Sequence, residues 1–311
     1  MKVLVTGAAG FIGSHLVRRL ARQYEVVGID DFSSGSMANL AGTEIALVRG
    51  SILDPEALAA SAEGVRAIVH LAARPSVPRS IDDPVASHDA NTVGTMRVLE
   101  VARTLNDPVV IVASSSSVYG ANPALPKKED MATLPLSPYA ASKLATEQYA
   151  LAWQHSFGVR TLPFRFFNVF GPRQAPGHAY AAVIPAFVYA ALRGEPIPIH
   201  GDGSQSRDFT YVGTVAEVIA TAVENGTTNR TAVNLAYGTR VTLLDLIERL
   251  ETMVGHPLER AHTANRAGDV PHSQADNSLL LSLFPDIEPV DLDKGLQATV
   301  EWMKGYLTAD S

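Results

Sequence analysis

The chain of 311 residues contains no cysteine. That removes disulfides, thiolate metal sites and any cysteine nucleophile, and it suits a reducing compartment. No apolar run approaches the ~20 residues of a membrane span. The opening Met1-Lys2-Val3-Leu4-Val5-Thr6-Gly7 runs straight into a strand pattern, without the regions of a signal peptide. Positive charge is in short supply, with 25 Lys and Arg against 32 Asp and Glu and a net charge of −7. This balance argues against generic binding to nucleic acid or to anionic membranes. Isolated histidines lack metal-ligand spacing, so no metal site is expected. What remains is a cytoplasmic globular protein of ordinary composition, 46% apolar and 18% charged. It is long enough for one large domain or two interlocked ones.

Strand and helix patterns alternate through the first half. Apolar β-branched runs at 2–6, 25–31, 45–48, 67–71 and 109–113 read as strands. Helical spacing follows at 14–20, 55–62 (with Asp54 as N-cap) and within 84–105. Such alternation predicts a doubly wound parallel sheet with helices on both faces. Between the first strand and helix lies Gly7-Ala8-Ala9-Gly10-Phe11-Ile12-Gly13. Glycines there permit a tight turn, let backbone approach a pyrophosphate and pack helix on strand, while the helix N-terminus favours the anion. About 20 residues on, the second strand ends in Asp30-Asp31. A carboxylate at that point accepts hydrogen bonds from the adenosine ribose and repels a 2′-phosphate. Since no Arg or Lys occurs from Asp30 to Asn39, NAD is expected over NADP.

The second half reads as a strand at 160–167 and a loop at 168–177. Helices are expected at 183–193, 213–225, 242–254 and 297–307, with short strands at 197–199 and 232–235. His70, closing an apolar strand, reads as a packed histidine. The chemical signal lies between the halves. Tyr139 and Lys143 stand four apart at the start of a helical pattern, so both project from one face. A free phenol ionises near pH ~10, and a neighbouring cation draws that value down towards the working range. The run Ser114-Ser115-Ser116-Ser117-Val118-Tyr119-Gly120 follows the fifth strand, where ligands sit in parallel sheets.

Taken together, these motifs resemble the extended short-chain dehydrogenase/reductase family, and within it the NAD-dependent nucleotide-sugar 4-epimerases. The resemblance runs through Thr6 to His15, His70-Leu71-Ala72-Ala73, Ser114 to Gly120, Ser137 to Lys143, Arg165 to Gly171, Gly201 to Tyr211 and Arg266 to Asp276. It implies a Rossmann-type NAD domain at 1–166, to which segments of 205–240 return. A smaller, interleaved α/β lobe at 167–311 would hold the UDP-sugar. It also implies that Tyr139 is the base, that Lys143 binds the nicotinamide ribose, and that Ser115 shares the hydrogen bonding at O4. The NAD site would comprise Gly7, Gly10, Phe11, Ile12, Gly13, Asp30, Ser51, Ile52, Leu71, Ala72, Ala73, Tyr139, Lys143 and Phe166. NAD would be tightly bound and regenerated in each cycle. A homodimer through a four-helix bundle is the family's usual assembly.

Sugar 4,6-dehydratases of similar sequence carry an Asp-Glu pair after the catalytic Ser or Thr, where this chain has Ser116 and Ser117. Nucleotide-sugar 6-dehydrogenases need a cysteine. Simple 4-epimerisation remains. By resemblance the substrate side comprises Ser115, Ser116, Asn168, Gln174, Tyr180, Ala182, Val183, Arg207, Arg266, Asp269 and Ser273. Asn168, Arg207 and Arg266 would serve the diphosphate, Asp269 the uridine ribose, and Ala182 and Val183 the uracil. Ser273 occupies the position that gates the sugar's C2 substituent, and its small side chain leaves room for an N-acetyl group. The expected substrates are therefore UDP-GlcNAc and UDP-GalNAc, with UDP-Glc and UDP-Gal also accepted. A strict UDP-glucose or UDP-glucuronate 4-epimerase, or a non-catalytic NAD-binding regulator, are the alternatives. Three positions depart from the pattern: Ser51 for an Asp near the adenine, Pro75 for a glycine lining the sugar pocket, and Thr214 for an Asp, where Thr is expected to cap the following helix.

Overall fold

The computed structural model describes residues 1–176, 182–264 and 271–309. Strand β1 (Lys2–Thr6) passes through the glycine turn into helix α1 (Phe11–Leu20). Strands β2 (Glu25–Asp30) and β3 (Ala46–Arg49) follow, then α2 (Pro55–Ser61). The Asp54 carboxylate caps α2 by accepting from the backbone N–H of Glu56 at 2.9 Å and Ala57 at 3.3 Å, satisfying donors that the first turn leaves open. Strand β4 (Ala67–His70) leads to short helices α3 (Val77–Asp82) and α4 (Pro84–His88). A π-helical turn, Asp89–Val93, separates these from α5 (Gly94–Thr104). Strand β5 (Val109–Ser115), helix α6 (Pro138–Phe157) and strand β6 (Arg160–Phe166) complete the first half.

Beyond it come β7 (Asn168–Phe170), α7 (Val183–Arg193), β8 (Ile197–His200), β9 (Ser206–Arg207) and β10 (Phe209–Tyr211). Helix α8 (Val212–Asn225) and strand β11 (Val233–Leu235) follow. The chain ends with β12 (Val241–Thr242), α9 (Leu243–Val254), β13 (Arg260–Thr263), α10 (Ser278–Leu283) and α11 (Leu292–Ala309).

Seven parallel strands form the central sheet in the order β11-β6-β5-β4-β1-β2-β3. Both faces are covered, which is why its strands read as near-continuous apolar runs. Val3, Val5, Leu16, Val17 and Leu20 pack with Val215, Ile219 and Val223 of α8 on one face. Leu4, Ile68, Val98, Leu99, Val110 and Val112 lie on the other. A third core, including Phe187, Val188, Leu246, Leu250, Leu296 and Met303, belongs to the C-terminal elements. The strand order turns at β1 and β4, where the chain departs to opposite sides. Ligands of open α/β sheets bind at the carboxyl ends beside such a point.

Several local expectations need correction. Residues 168–170 are not loop: they pair in parallel with β10, a partner some forty residues away that no local pattern announces. The helical stretch of 84–105 is interrupted by the π turn. Helix α3 was not expected; Pro78 sits in its first turn, where a missing N–H costs nothing. Thr214 does not cap α8. That helix starts at Val212 with Tyr211 as N-cap, and the buried Thr214 hydroxyl instead accepts from the Val290 N–H at 3.0 Å.

One buried ion pair ties α6 to β6. The Arg165 guanidinium donates through Nε and Nη2 to the two carboxylate oxygens of Glu147, at 2.9 and 2.7 Å. The side chains are 5% and 1% exposed, so neither charge has water to fall back on. Removing one partner of such a pair costs about 3–5 kcal/mol. Arg165→Met is therefore expected to lower the unfolding free energy, measured by urea titration, by about that amount. A loss below about 1 kcal/mol, the worth of a solvated pair, would count against this view.

Candidate active site

The glycine turn shows why its residues are needed. Gly7 has φ +70°, and a Cβ on it would lie 2.8 Å from the Ala72 nitrogen; a Cβ on Gly13 would stand 2.0 Å from the Gly7 oxygen. Larger residues would push α1 off the sheet. No side chain caps the first turn of α1, so its N–H groups are left for an anion. Asp30, nearly buried at the end of β2, accepts from the N–H of Ala9 and of Phe32, each at 2.8 Å. Each oxygen keeps a second lone pair for a ribose hydroxyl. Burial pushes this carboxyl above its usual range, against the pull of those two N–H groups. The turn, the uncapped helix and the acid at the strand end fit a dinucleotide. Thr6 completes the floor, its hydroxyl accepting from the N–H of Leu71 at 3.2 Å and Ala72 at 3.1 Å. His70 bonds Thr6 and Thr95 at 2.8 and 3.1 Å. Burial, with the Lys143 charge, lowers it to about 3, so it is a neutral packed histidine.

Three successive residues at the end of β5 meet α6. The Ala113 carbonyl accepts from Lys143 Nζ at 2.8 Å. The Ser114 hydroxyl lies against the Lys143 carbonyl at 3.3 Å and Glu147 Oε2 at 3.1 Å. The Ser115 hydroxyl lies near enough to the Tyr139 phenol to pull against its raised pKa, and it accepts from Ser117 Oγ at 2.9 Å. Helix α6 begins at this place because Ser137 caps it, accepting from the Ala140 N–H at 3.1 Å, and Pro138 takes the first position. The otherwise orphaned Tyr139 N–H donates to Ser80 Oγ at 3.0 Å. The structure thus brings Ser115, Tyr139 and Lys143 together. The expected lowering of the phenol is not seen: burial pushes Tyr139 above its ordinary value, and only the Ser115 bond opposes it. Lys143 shares the helix face, yet its ammonium is turned to the Ala113 carbonyl. Burial lowers Lys143 to about 8.

From this cluster a cleft extends along the sheet edge. It is lined by Ser115, Ser116, Phe166, Asn168, Arg207 and Ser273 among the residues expected from the sequence. Asn168 Nδ2 donates to the Asp208 carbonyl at 3.1 Å, and Arg207 Nη1 to the carbonyls of Ser206 and Pro271 at 3.0 and 3.1 Å. Gln174 Nε2 donates to the Val169 carbonyl at 3.3 Å, outside the cleft lining. Ala182 and Val183 mark the start of α7 and likewise do not line it. Tyr180, Arg266 and Asp269 lie outside the described residues. Ser51 turns its hydroxyl to the Leu53 N–H at 3.2 Å, and Ile52 is buried. Unexpected lining residues are Val77, Ser117, Tyr119, Gly120, Lys127, Phe167 and His272. Lys127 sits in the run Lys127-Lys128-Glu129-Asp130, which reads as a solvated face. Another depression, more open and lined by Arg240, Asp245 and Arg249 among others, holds none of these groups.

A parallel sheet with an anion-binding turn, an acid at the second strand and a Ser-Tyr-Lys cluster at its carboxyl edge defines a dinucleotide-dependent enzyme of the extended short-chain dehydrogenase/reductase type. Residues 3–236 match the family model described as the NAD dependent epimerase/dehydratase family. The chain belongs to that family, and its cofactor is NAD. It is 38% identical to the UDP-glucose 4-epimerase of Mycolicibacterium smegmatis, over 98% of this chain and 99% of that protein. Among solved structures it is similar to the UDP-N-acetylglucosamine 4-epimerase of Methanobrevibacter ruminantium M1 in complex with UDP-N-acetylmuramic acid. That match has a TM-score of 0.93, 36% identity and 98% coverage of both chains. It is also similar to the UDP-glucuronic acid 4-epimerase of Bacillus cereus in complex with UDP-glucuronic acid and NAD. There the TM-score is 0.90 and the identity 31%, covering 98% of this chain and 100% of the other.

The Lys143 environment has a consequence for stability. Its pKa is lower in the fold, about 8, than in the unfolded chain, ~10.4. Below pH 8 both states carry the proton and burial of the ammonium costs stability. Between these values the unfolded state binds more protons, so the cost fades as pH rises. Lys143→Met is accordingly expected to melt at or above the wild-type temperature at pH 7, with the gap closing by pH ~10. A variant that melts well below wild type at pH 7 would contradict this.

Proposed function

We infer that this chain is a UDP-sugar 4-epimerase. The observation that carries the reading is the convergence of Ser115, Tyr139 and Lys143 beside the glycine turn. The 4-epimerases among its relatives support it. Tyr139 removes the proton from the sugar 4-hydroxyl, and Ser115 shares the hydrogen bonding at that oxygen, where charge develops. The chemistry that NAD supplies when bound is reversible hydride transfer at C4, so the cofactor is regenerated and stays held. Because burial holds the Tyr139 phenol high, proton removal calls for a cation beside it. Lys143, with a pKa of about 8, is mostly protonated at pH 7 and supplies that charge while binding the ribose. The 4-keto sugar then turns, and Tyr139 returns the proton to the product oxygen.

For the substrate, we propose the pair UDP-GlcNAc and UDP-GalNAc, with UDP-Glc and UDP-Gal also accepted. Ser273 supports this: it lines the cleft with a small side chain, held by its N–H on the Ser206 carbonyl at 3.0 Å. In the same reading Asn168 and Arg207 serve the diphosphate, Gln174 the sugar, and Ala182 and Val183 the uracil. The sheet unit holds NAD and the smaller lobe the uridine. The protein acts in the cytoplasm as a homodimer in which α5 and α6 of two copies form a four-helix bundle.

Incubation with a panel of UDP-sugars and separation of the epimers tests the activity; failure to interconvert any of them overturns the reading. Tyr139→Phe should lower turnover by about 10²- to 10⁴-fold while leaving the melting temperature within a few degrees of wild type. Ser273→Tyr should abolish activity on the acetylated pair and spare UDP-Glc and UDP-Gal; equal loss on both pairs would remove Ser273 as the gate.

A further inference from the structure

Asp208 is a buried acid that the mechanism does not use. It has no exposed surface, a state that aspartate almost never shows unless paired. Among the described residues no Lys, Arg or His lies within ion-pair distance of it. Burial lifts its carboxyl to about 6, against the pull of the hydrogen bonds it accepts, so at pH 7 it is mostly ionised. A charge so placed is costly unless hydrogen bonds meet it.

Those bonds follow from a ladder that branches at this residue. Strand β9 runs parallel to the segment after residue 270. The Ser206 N–H donates to the Pro271 carbonyl at 3.1 Å, and the Ser273 N–H to the Ser206 carbonyl at 3.0 Å. Two residues on, the same ladder would bring the Ala275 N–H to the Asp208 carbonyl. That carbonyl is taken from the other side by Asn168, through its backbone N–H and its Nδ2, each at 3.1 Å. Ala275 is buried, and an orphaned N–H there would be costly. The carboxylate replaces the lost partner: Oδ2 accepts from the Ala275 N–H at 3.0 Å, and Oδ1 from the Thr239 hydroxyl at 3.0 Å. The residues on either side of Ala275 pair the opposite way, with the N–H and carbonyl of Lys127 at 2.7 and 2.8 Å.

One residue thus joins two walls, its main chain holding β7 and its side chain the segment 273–276. Asn168, Arg207 and Ser273 all line the cleft, whereas Asp208 does not. We propose that Asp208 is a positioning residue for the substrate: by fixing Asn168 and Arg207 relative to Ser273, it sets both the affinity for the UDP-sugar and the discrimination at the sugar without touching either. This rests on the reading of those three side chains as substrate contacts and deepens it. Asparagine is the informative replacement. Its one oxygen can keep the Ala275 N–H, and its NH2 can face Thr239, whose hydroxyl has the Phe209 carbonyl at 3.3 Å as another acceptor. Shape is kept and only the charge is lost.

Kinetics of the holoenzyme on UDP-GlcNAc and UDP-Glc test this. Asp208→Asn is expected to raise KM about tenfold, the gap between a charge-assisted and a neutral hydrogen bond, with kcat within about threefold of wild type. The ratio of kcat/KM between the two substrates should shift by at least about threefold, because Ser273 loses its register with Arg207. Bound NAD and the melting temperature should stay near wild type. A folded variant with wild-type KM, or with KM raised equally for both sugars, overturns the proposal, and so does one whose kcat falls while KM holds. Should Asp208→Asn not fold, Thr239→Val removes one of the two side-chain bonds and keeps the charge. It should move KM and the ratio in the same direction by a smaller factor, and leaving both unchanged overturns the proposal. Calorimetric Kd values for the same UDP-sugars give the comparison without turnover, so a wild type that binds them but interconverts none removes the epimerase reading alone.

Discussion

The end of β5 is locked to α6 residue by residue, and the proposed Ser115-Tyr139-Lys143 site depends on that lock. Ala113 holds the Lys143 ammonium, Ser114 holds the Lys143 carbonyl and Glu147, and Ser115 meets Tyr139. Behind them the Glu147 carboxylate is clamped from β6 by both arms of Arg165. Arg165 in turn donates to the Tyr119 hydroxyl at 2.9 Å, and that hydroxyl to Asn234 on β11 at 2.6 Å. Four strand and helix segments distant in sequence are thereby fixed by directional bonds among buried side chains. A bidentate pair sets orientation as well as distance, so α6 cannot rotate about its axis without stranding a charge. The phenol is presented at a defined point because its helix has no freedom to slide.

The same burial sets the electrostatics. Burial lifts the carboxyl of Asp30 and the phenol of Tyr139, and it lowers Lys143 and His70. Each shift penalises the charged form, so the apo fold holds these groups at a cost that a hydrophobic core would not incur. Proteins commonly trade stability for function in this manner. Asp208 belongs to the same set. It is fully buried and raised to about 6 by desolvation, yet it holds the Ala275 N–H and the Thr239 hydroxyl. Those bonds keep the segment carrying Ser273 against β9, and so shape the cleft beside Arg207.

Relatives named for glucose, N-acetylglucosamine and glucuronic acid derivatives share this frame. Choice of sugar must then reside in a few cleft-lining side chains rather than in the sheet. Here those side chains come from separate stretches: the serine turn, the 122–129 segment, the end of β6, β9 and the residues just after 270. Helix α8 packs on α1, and β11 extends the sheet beside β6. The C-terminal half is thus stitched into the first, and the cleft walls are held by one continuous packing.

What the sequence determined by itself is what local chemistry can encode. The parallel sheet was legible because doubly buried strands are written as apolar runs. The glycine turn and Asp30 were legible because a tight turn admits few residue types. Tyr139 and Lys143 followed from helical spacing, and Asp54 as a cap from its place before Pro55. Tertiary structure alone decided the rest. Strand β7 exists because β10 lies beside it, and Thr214 became an acceptor for Val290 because α8 begins earlier than its local signals say. The Lys143 ammonium turned to a β5 carbonyl, and burial raised the phenol that helical spacing alone would have had the cation lower. Lys127, written in a charged run, was drawn inside by a bridge to residues almost 150 positions away. Periodicity and turn chemistry act over a few residues, whereas desolvation and strand partnership depend on which distant segments arrive.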